Sequence, residues 1–183
     1  MSAYYETEGC LLSSRPIGEA DRRLIFYTKD LGKVDALAKS VRRTDSKLKG
    51  HLNLFTRSRL IFVSGKGLWR LLDAELLQVG NEYKDLAALQ VSANFLLGLL
   101  IEREPSDALW GLVENFHKIQ TPDIIRFKAR VLDALGMLPE DAERAIFFGQ
   151  TGAAYIRGEA DDSAVDREAF EAGIRKILAL NHF

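Results

Sequence analysis

The feature that most constrains the fold is a change of hydrophobic period near Gly80. Before it, apolar residues occur in short runs rich in β-branched and aromatic side chains, separated by turns that contain glycine. After it, apolar residues recur at the three- and four-residue spacing of a helix. The sequence therefore predicts an α+β protein, with a β-rich domain over residues 1–80 and an all-α domain over residues 81–183.

The β-rich part contains five short apolar runs without a helical pattern between them. Such an arrangement is typical of a small antiparallel barrel or sandwich. The clearest strand signal is the polar–apolar alternation of 33–39, which follows a turn containing Asp30 and Gly32. The predicted strands cover residues 7–14, 24–28, 33–39, 52–63 and 68–78.

The back half predicts four helices. They cover residues 83–103, a second segment from a cap at Ser106 or Asp107 to His117, residues 122–135, and residues 163–180. The intervening stretch 142–162 contains three glycines and no clear period. It is interpreted as a loop or a short hairpin.

Composition excludes several classes of protein. No apolar run approaches the eighteen residues of a membrane span, and residues 1–6 show no start of a signal peptide. Cys10 is the only cysteine, so neither an internal disulfide nor a thiolate zinc cluster is expected. These features predict a cytoplasmic protein.

Charge is divided between the two halves. Residues 1–80 hold fourteen Lys and Arg against nine Asp and Glu, whereas residues 81–183 hold eleven against seventeen. The front half is therefore suited to a polyanionic partner. The alternative interpretation is a chance scatter of solvated surface charge.

The most informative segment is 39–49, which carries five basic residues against one acid and lies between two predicted strands. Lys and Arg on such a loop can neutralise phosphates. Tyr27 and Trp69, beside polar residues, are candidates for stacking on bases, whereas Phe26 and Phe55 are interpreted as core. The alternative is an ordinary solvated loop with all four aromatic rings in the core.

Several motifs then resemble the bacterial recombination mediator RecO family. In the front half they are Thr7-Glu8-Gly9, Gly18-Glu19-Ala20-Asp21-Arg22, Gly32-Lys33, Ala38-Lys39-Ser40-Val41-Arg42-Arg43 and Gly50-His51-Leu52. In the back half the likeness continues at residues 126–136 and at Leu138-Pro139. The resemblance implies an oligonucleotide/oligosaccharide-binding (OB) barrel followed by a helical domain. It also implies single-strand binding and annealing, with recombinase loading together with RecR and single-strand-binding protein.

Carried over residue by residue, the resemblance implies a set of phosphate contacts. These are Lys33, Lys39, Arg42, Arg43, Lys47 and Lys49. Arg57 and Arg59, two apart on one predicted strand, share a face and extend this track. On the third helix, Arg126 and Arg130 would rim a slot for the acidic tail of single-strand-binding protein, unless they pair with Asp123 and Asp133.

The sequence also departs from the family pattern. Relatives carry a four-cysteine zinc site, but Ala145 and Phe148 stand where two of those cysteines would be. No metal or other cofactor is therefore expected, and the comparison with the family predicts a shortened C-terminal helical domain.

Catalysis finds little support in the sequence, because no phosphate-binding glycine loop and no metal-ligand histidine pair occurs. Two hypotheses follow. The first is a single-stranded DNA-binding mediator in DNA repair. The second is a protein-interaction adaptor whose helical domain binds partners and whose barrel binds nucleic acid weakly.

Overall fold

The fold is described from a computed structural model. It covers residues 3–44, 46–65, 67–77, 83–100, 104–139, 148–149, 152–157, 159–161 and 164–181, without the side chain of Lys49. The chain divides into two compact units. One comprises Met1–Lys84 with Leu100–Lys118, and the other comprises Asp85–Leu99 with Ile119–Phe183. The division thus differs from the predicted boundary at residue 80, since 100–118 returns to the first unit.

Five strands form a closed barrel in the first unit. They are β1 (Tyr4–Ile17), β2 (Asp21–Thr28), β3 (Gly32–Ala38), β4 (Arg57–Val63) and β5 (Trp69–Leu76). The order around the barrel is β1-β2-β3-β5-β4, and β1 is long enough to pair with both β2 and β4. The β3–β5 pair is parallel and all other pairs are antiparallel. This closed five-stranded order confirms the predicted α+β class and OB barrel, and excludes the sandwich.

Strand alternation directs side chains into or out of the barrel. In β3, burial changes at every residue, so that Val34 and Ala36 point inward while Lys33 and Asp35 point outward. Gly9 lies in β1 between side chains of its two paired strands, Leu60 of β4 and Thr28 of β2. A Cβ there would lie 2.7 Å from Leu60 Cδ1, so only glycine fits without movement.

The loop between β3 and β4 is packed against the barrel and is not a free arm. Val41 is buried, and Leu48, Leu52 and Leu54 pack against the barrel core around a short 3-10 turn. The predicted strand over 52–63 therefore begins only at β4. Phe55 precedes it with a left-handed φ of 63°.

Within the described residues the α-helices with defined ends are α1 (Leu86–Leu99), α2 (Asp107–Val113), α3 (Ile124–Ala134) and α4 (Arg167–Leu180). All four fall within predicted helices but are shorter. Ser106 is the N-cap of helix α2. Its hydroxyl accepts a hydrogen bond from the Leu109 N–H, which agrees with the predicted cap at Ser106 or Asp107. Helix α2 ends at Val113, ahead of the predicted end, and a 3-10 turn follows at Phe116–Lys118.

In the second unit α3 packs against α1 and α4. Asp85 links two chain segments there, because its carboxylate accepts hydrogen bonds from the N–H groups of Ala88 (2.9 Å) and Thr121 (2.8 Å). No helix among the described residues is long and apolar enough to cross a membrane.

The predicted loop or hairpin over 142–162 is wrong for residues 152–157, which are helical, whereas the described residues 159–161 have no regular structure and agree with a loop. The rings of Phe148 and Tyr155 lie 4.6 Å and 5.6 Å from that of Phe170. This aromatic packing stabilises a segment whose sequence has no helical period.

Candidate nucleic-acid interface

Hydrogen bonds hold the start of the basic loop against the β1–β2 turn. The Ser40 N–H donates to Asp21 Oδ1 at 2.7 Å, and the Arg42 N–H donates to the Ala20 carbonyl at 3.0 Å. The Arg42 side chain also donates, from Nη1 to the Gly18 carbonyl at 3.0 Å. The predicted DNA contact Arg42 is thereby fixed beside the turn that joins β1 to β2.

Strand register adds further cations to this end of the barrel. Arg22 lies opposite Ala38, next to Lys39, and Arg15 lies opposite Arg23. We call the resulting exposed group the basic edge. It comprises Arg15, Arg22, Arg23, Lys39, Arg42 and Arg43.

Three members of the basic edge, Arg15, Arg22 and Arg23, were missed by sequence reasoning. All three flank the β1–β2 turn at Gly18, which has a left-handed φ of 56°. Pairing the two strands across that turn would have placed Arg15 beside Arg23. The glycine and the arginines on either side of it were therefore the available signal.

The basic edge keeps an excess of positive charge. Its six cations lie near three described carboxylates, those of Glu19, Asp21 and Asp35. Arg23 Nε donates to Asp35 Oδ1 at 2.9 Å, and this bond raises the pKa of Arg23. Within the described residues, Arg15 and Lys39 form no ion pair. A polyanion can therefore meet uncompensated cations at this edge.

Three of the predicted phosphate contacts are engaged elsewhere. The Lys33 ammonium donates to the Leu100 carbonyl. Arg57 lies 3.5 Å from the carboxylates of both Glu8 and Glu114.

Arg59 lies 2.6 Å from Glu75 and 3.7 Å from Glu6. Arg57 and Arg59 do share an outward face as predicted, but four glutamates surround them. The local charge is therefore negative and repels phosphate. The predicted phosphate contacts of Lys33, Arg57 and Arg59 are therefore corrected, because these three side chains are bound to groups of the protein itself.

The remaining loop lysines lie in the 3-10 turn Lys47–Gly50. Lys47 is exposed to solvent, and the side chain of Lys49 lies outside the described residues. Both stay predictions, as does the role of Arg43, which is exposed within the basic edge.

The predicted stacking residues Tyr27 and Trp69 are buried, so this part of the prediction is corrected. Tyr27 is 0% exposed, its hydroxyl accepts a hydrogen bond from the Ser106 N–H at 3.1 Å, and burial raises its pKa. Trp69 is 7% exposed and packs edge-on against Tyr5 and Phe62. Trp69 points into the barrel core, whereas Tyr27 lies on the other face of β2 and is covered by the segment that contains Ser106, so no base can reach either ring.

An exposed tyrosine that the sequence analysis overlooked lies on the outer face. Tyr4 is 72% exposed. Successive strand pairs place it in one row with Val63, Arg70, Leu37 and Arg23. An exposed ring in a row that contains two arginines is available for stacking, whereas Tyr27 and Trp69 are not.

The residues that the resemblance relates to a zinc site do not fit one. Cys10 is buried, and burial raises the pKa of its thiol, which opposes the thiolate form that binds zinc. Phe148 packs against Phe170, and Ala145 lies outside the described residues. Among the described residues no three His, Cys, Asp or Glu side chains are placed to hold a metal. The absence of a cofactor stays a prediction.

In the second unit, the two arginines predicted to rim a slot for the tail of single-strand-binding protein differ in their contacts and exposure. Arg126 donates from Nη2 to the Ala160 carbonyl at 3.1 Å, and its guanidinium lies 4.1 Å from the centre of the Tyr155 ring. Arg130 is exposed four residues further along α3. Arg126 is therefore a packing residue of this unit. Of the two, only Arg130 is exposed as a partner-binding residue would have to be, and its role stays a prediction.

The closed five-stranded barrel places the front half in the class of OB folds, whose members bind oligonucleotides or oligosaccharides. Residues 1–79 match the family described as Recombination protein O N terminal. The chain is 31% identical over 125 residues to a protein of Gloeothece citriformis, which covers 66% of this chain and 44% of that protein. It is also 31% identical over 152 residues to a protein of Acaryochloris marina, and this match covers 76% of this chain and 52% of that protein.

A protein of Thermodesulfovibrio yellowstonii is 28% identical over 148 residues, covering 75% of this chain and 59% of that protein. All three relatives carry the name DNA repair protein RecO. The chain belongs to the RecO family. It spans about half the length of the curated relatives that it matches.

Proposed function

We propose that this protein binds single-stranded DNA through the basic edge and acts in DNA repair and recombination. One observation carries the proposal. The hydrogen bonds from Ser40 and Arg42 to the β1–β2 turn gather cations from three chain segments at one end of an OB barrel. The family relationship supports DNA repair as the setting.

The geometry suits a flexible, single-stranded polyanion. The loop is already held in place, so its cations lose less conformational freedom on binding than they would on a mobile arm. Arginines provide several donors each for phosphate oxygens. Tyr4, on the outer row with Arg70, can add stacking worth about 1–3 kcal/mol per base.

We extend the proposal to strand annealing. Two strands held near one cationic surface lose much of their mutual repulsion, and pairing then proceeds without ATP. No catalytic group is needed for this activity. Recombinase loading with RecR and single-strand-binding protein is proposed on the family relationship alone. Arg126 does not support the tail-binding slot predicted for it, since it is held by Tyr155 and Ala160.

A salt titration with a fluorescent oligonucleotide tests the proposal. Arg22→Ala/Arg42→Ala removes two cations of the basic edge, and Arg57→Ala/Arg59→Ala removes two that are surrounded by glutamates. For single strands each lost phosphate contact flattens the slope of log affinity against log salt by about 0.7. We expect a change of about 1.4 for the first double variant and none for the control.

Two results would contradict the proposal. Equal slope changes in the two double variants would mean that the basic edge is not the binding surface. If the unmodified protein showed no salt-dependent binding to single strands, the adaptor alternative would replace DNA binding.

A further inference from the structure

A pocket of about 320 Å³ opens within the basic edge. It lies between the β1–β2 ribbon and the loop after β3. Its lining residues are Ser14, Arg22, Leu24, Val41, Arg42 and Leu52. Its volume is at the lower end of the range for small-molecule sites, so it suits a single ring system with its attached groups.

The floor of the pocket is apolar. Leu24 is 0% exposed, Val41 is 4% exposed, and Leu52 is half-buried against the barrel core. None of these side chains can donate or accept a hydrogen bond. The group that fits against this floor therefore presents an apolar or aromatic face.

The rim of the pocket is cationic and oriented. Arg22 Nη1 donates to Ser14 Oγ at 3.0 Å, and Arg42 Nη1 donates to the Gly18 carbonyl at 3.0 Å. Each of these bonds fixes a guanidinium while leaving other N–H donors of its fork for a ligand. Both bonds go to neutral oxygens, so the two positive charges are not compensated by them. An anionic group is therefore favoured at the rim.

An aromatic face joined to an anion describes a nucleotide. An acidic peptide with an apolar side chain has related chemistry, but cations are not confined to the pocket, since Arg23 follows Arg22 in β2 and lies opposite Arg15, and neither lines the pocket. A repeating phosphate chain matches such a spread of cations better than one short acidic segment does.

We infer that the pocket holds one nucleotide of a bound single strand. The base lies against Leu24, Val41 and Leu52, and the adjoining phosphates meet Arg22 and Arg42. This inference rests on the proposed DNA binding and adds to it a base-contacting subsite formed by aliphatic side chains. Binding then depends on the presence of bases as well as on phosphate charge.

The test compares oligothymidylate with an abasic strand of equal length and charge. Leu52→Asn makes the pocket floor polar, and Leu72→Asn is the matched control, since Leu72 is 37% exposed on β5, outside the pocket. We expect the unmodified protein and the control to prefer oligothymidylate. Leu52→Asn is expected to reduce this preference by about fivefold while leaving the salt slope unchanged. Circular dichroism checks folding, and Leu52→Ala replaces Leu52→Asn if the latter unfolds.

Each outcome is distinct. If no strand binds to the unmodified protein, the proposed function itself fails. If strands bind but the preference for bases is absent, or survives in both Leu52 variants, the pocket inference is wrong while DNA binding stands. If an acidic peptide containing phenylalanine displaces the strand from the unmodified protein but not from Leu52→Asn, the pocket is a peptide site and the inference is overturned.

Discussion

Replacing Asp21 tests whether the hydrogen bond at the base of the loop preorganises the basic edge. Asp21 Oδ1 accepts the Ser40 N–H at 2.7 Å. Ser40 has a φ of 55°, a left-handed conformation that is unfavourable for a residue with a side chain. Without the acceptor this strained residue loses a restraint, and Arg42 follows two residues later. The loop would then have to become ordered when DNA binds.

The magnitude follows from the type of bond. The bond that Asp21→Asn can keep and Asp21→Ala loses joins an amide N–H to a neutral oxygen, and such a bond contributes about 0.5–1.5 kcal/mol. Asp21 and Ser40 lie near the surface, where water competes, so we expect about 1 kcal/mol. That free energy corresponds to about a fivefold change in an equilibrium constant.

Two substitutions separate this bond from the charge of Asp21. Asp21→Ala and Asp21→Asn both remove one negative charge near the phosphates, which strengthens binding equally in the two variants. Only Asn retains an oxygen that can accept the Ser40 N–H. Asp21→Ala should therefore bind a fluorescent single strand about fivefold more weakly than Asp21→Asn at the same salt concentration. Equal affinities of the two variants would refute the reasoning.

Three further predictions concern individual side chains. Tyr27→Phe should lower the free energy of unfolding by about 1 kcal/mol, because the Ser106 N–H at the start of α2 loses its acceptor. The DNA affinity should not change, and a loss of affinity in a folded variant would restore Tyr27 as a DNA contact. Gly9→Ala should destabilise the barrel by about 1–3 kcal/mol in denaturant titrations, because the new Cβ meets Leu60; an unchanged midpoint would contradict this close approach. The pKa of Asp85 is lowered, chiefly by the hydrogen bond from the Thr121 hydroxyl, so its contribution to stability is present above about pH 4 and is lost as the pH falls. Asp85→Ala should thus be less stable than the unmodified protein at neutral pH and approach it in acid, whereas a constant difference would contradict the assignment.

Local sequence patterns were sufficient to predict most elements of the fold. The alternation in β3 and the turn ending at Gly32 depend only on residues close together in the chain, and so does the cap at Ser106. Residues 152–157 were missed because their helix depends on distant packing. Their sequence has no apolar period, and Tyr155 packs instead against Phe170 of α4.

The candidate site was predicted only in part, because a basic residue in the sequence does not reveal its partner. The acids that surround Arg57 and Arg59 come from β1, β5 and the segment after α2. Only barrel closure brings them together.

Burial of the two aromatic candidates was likewise decided by tertiary structure. A strand has two faces, and its own sequence does not specify which face a closed barrel encloses when both carry apolar residues. Closure turned Trp69 inward, the segment around Ser106 covered Tyr27 on the other face of β2, and Tyr4 stayed exposed. The sequence by itself determined that this chain has a β-rich, cationic front half and a helical back half, because hydrophobic period and charge are local properties. Tertiary structure decided which cations face solvent together, because that depends on strand pairing between residues far apart in the chain.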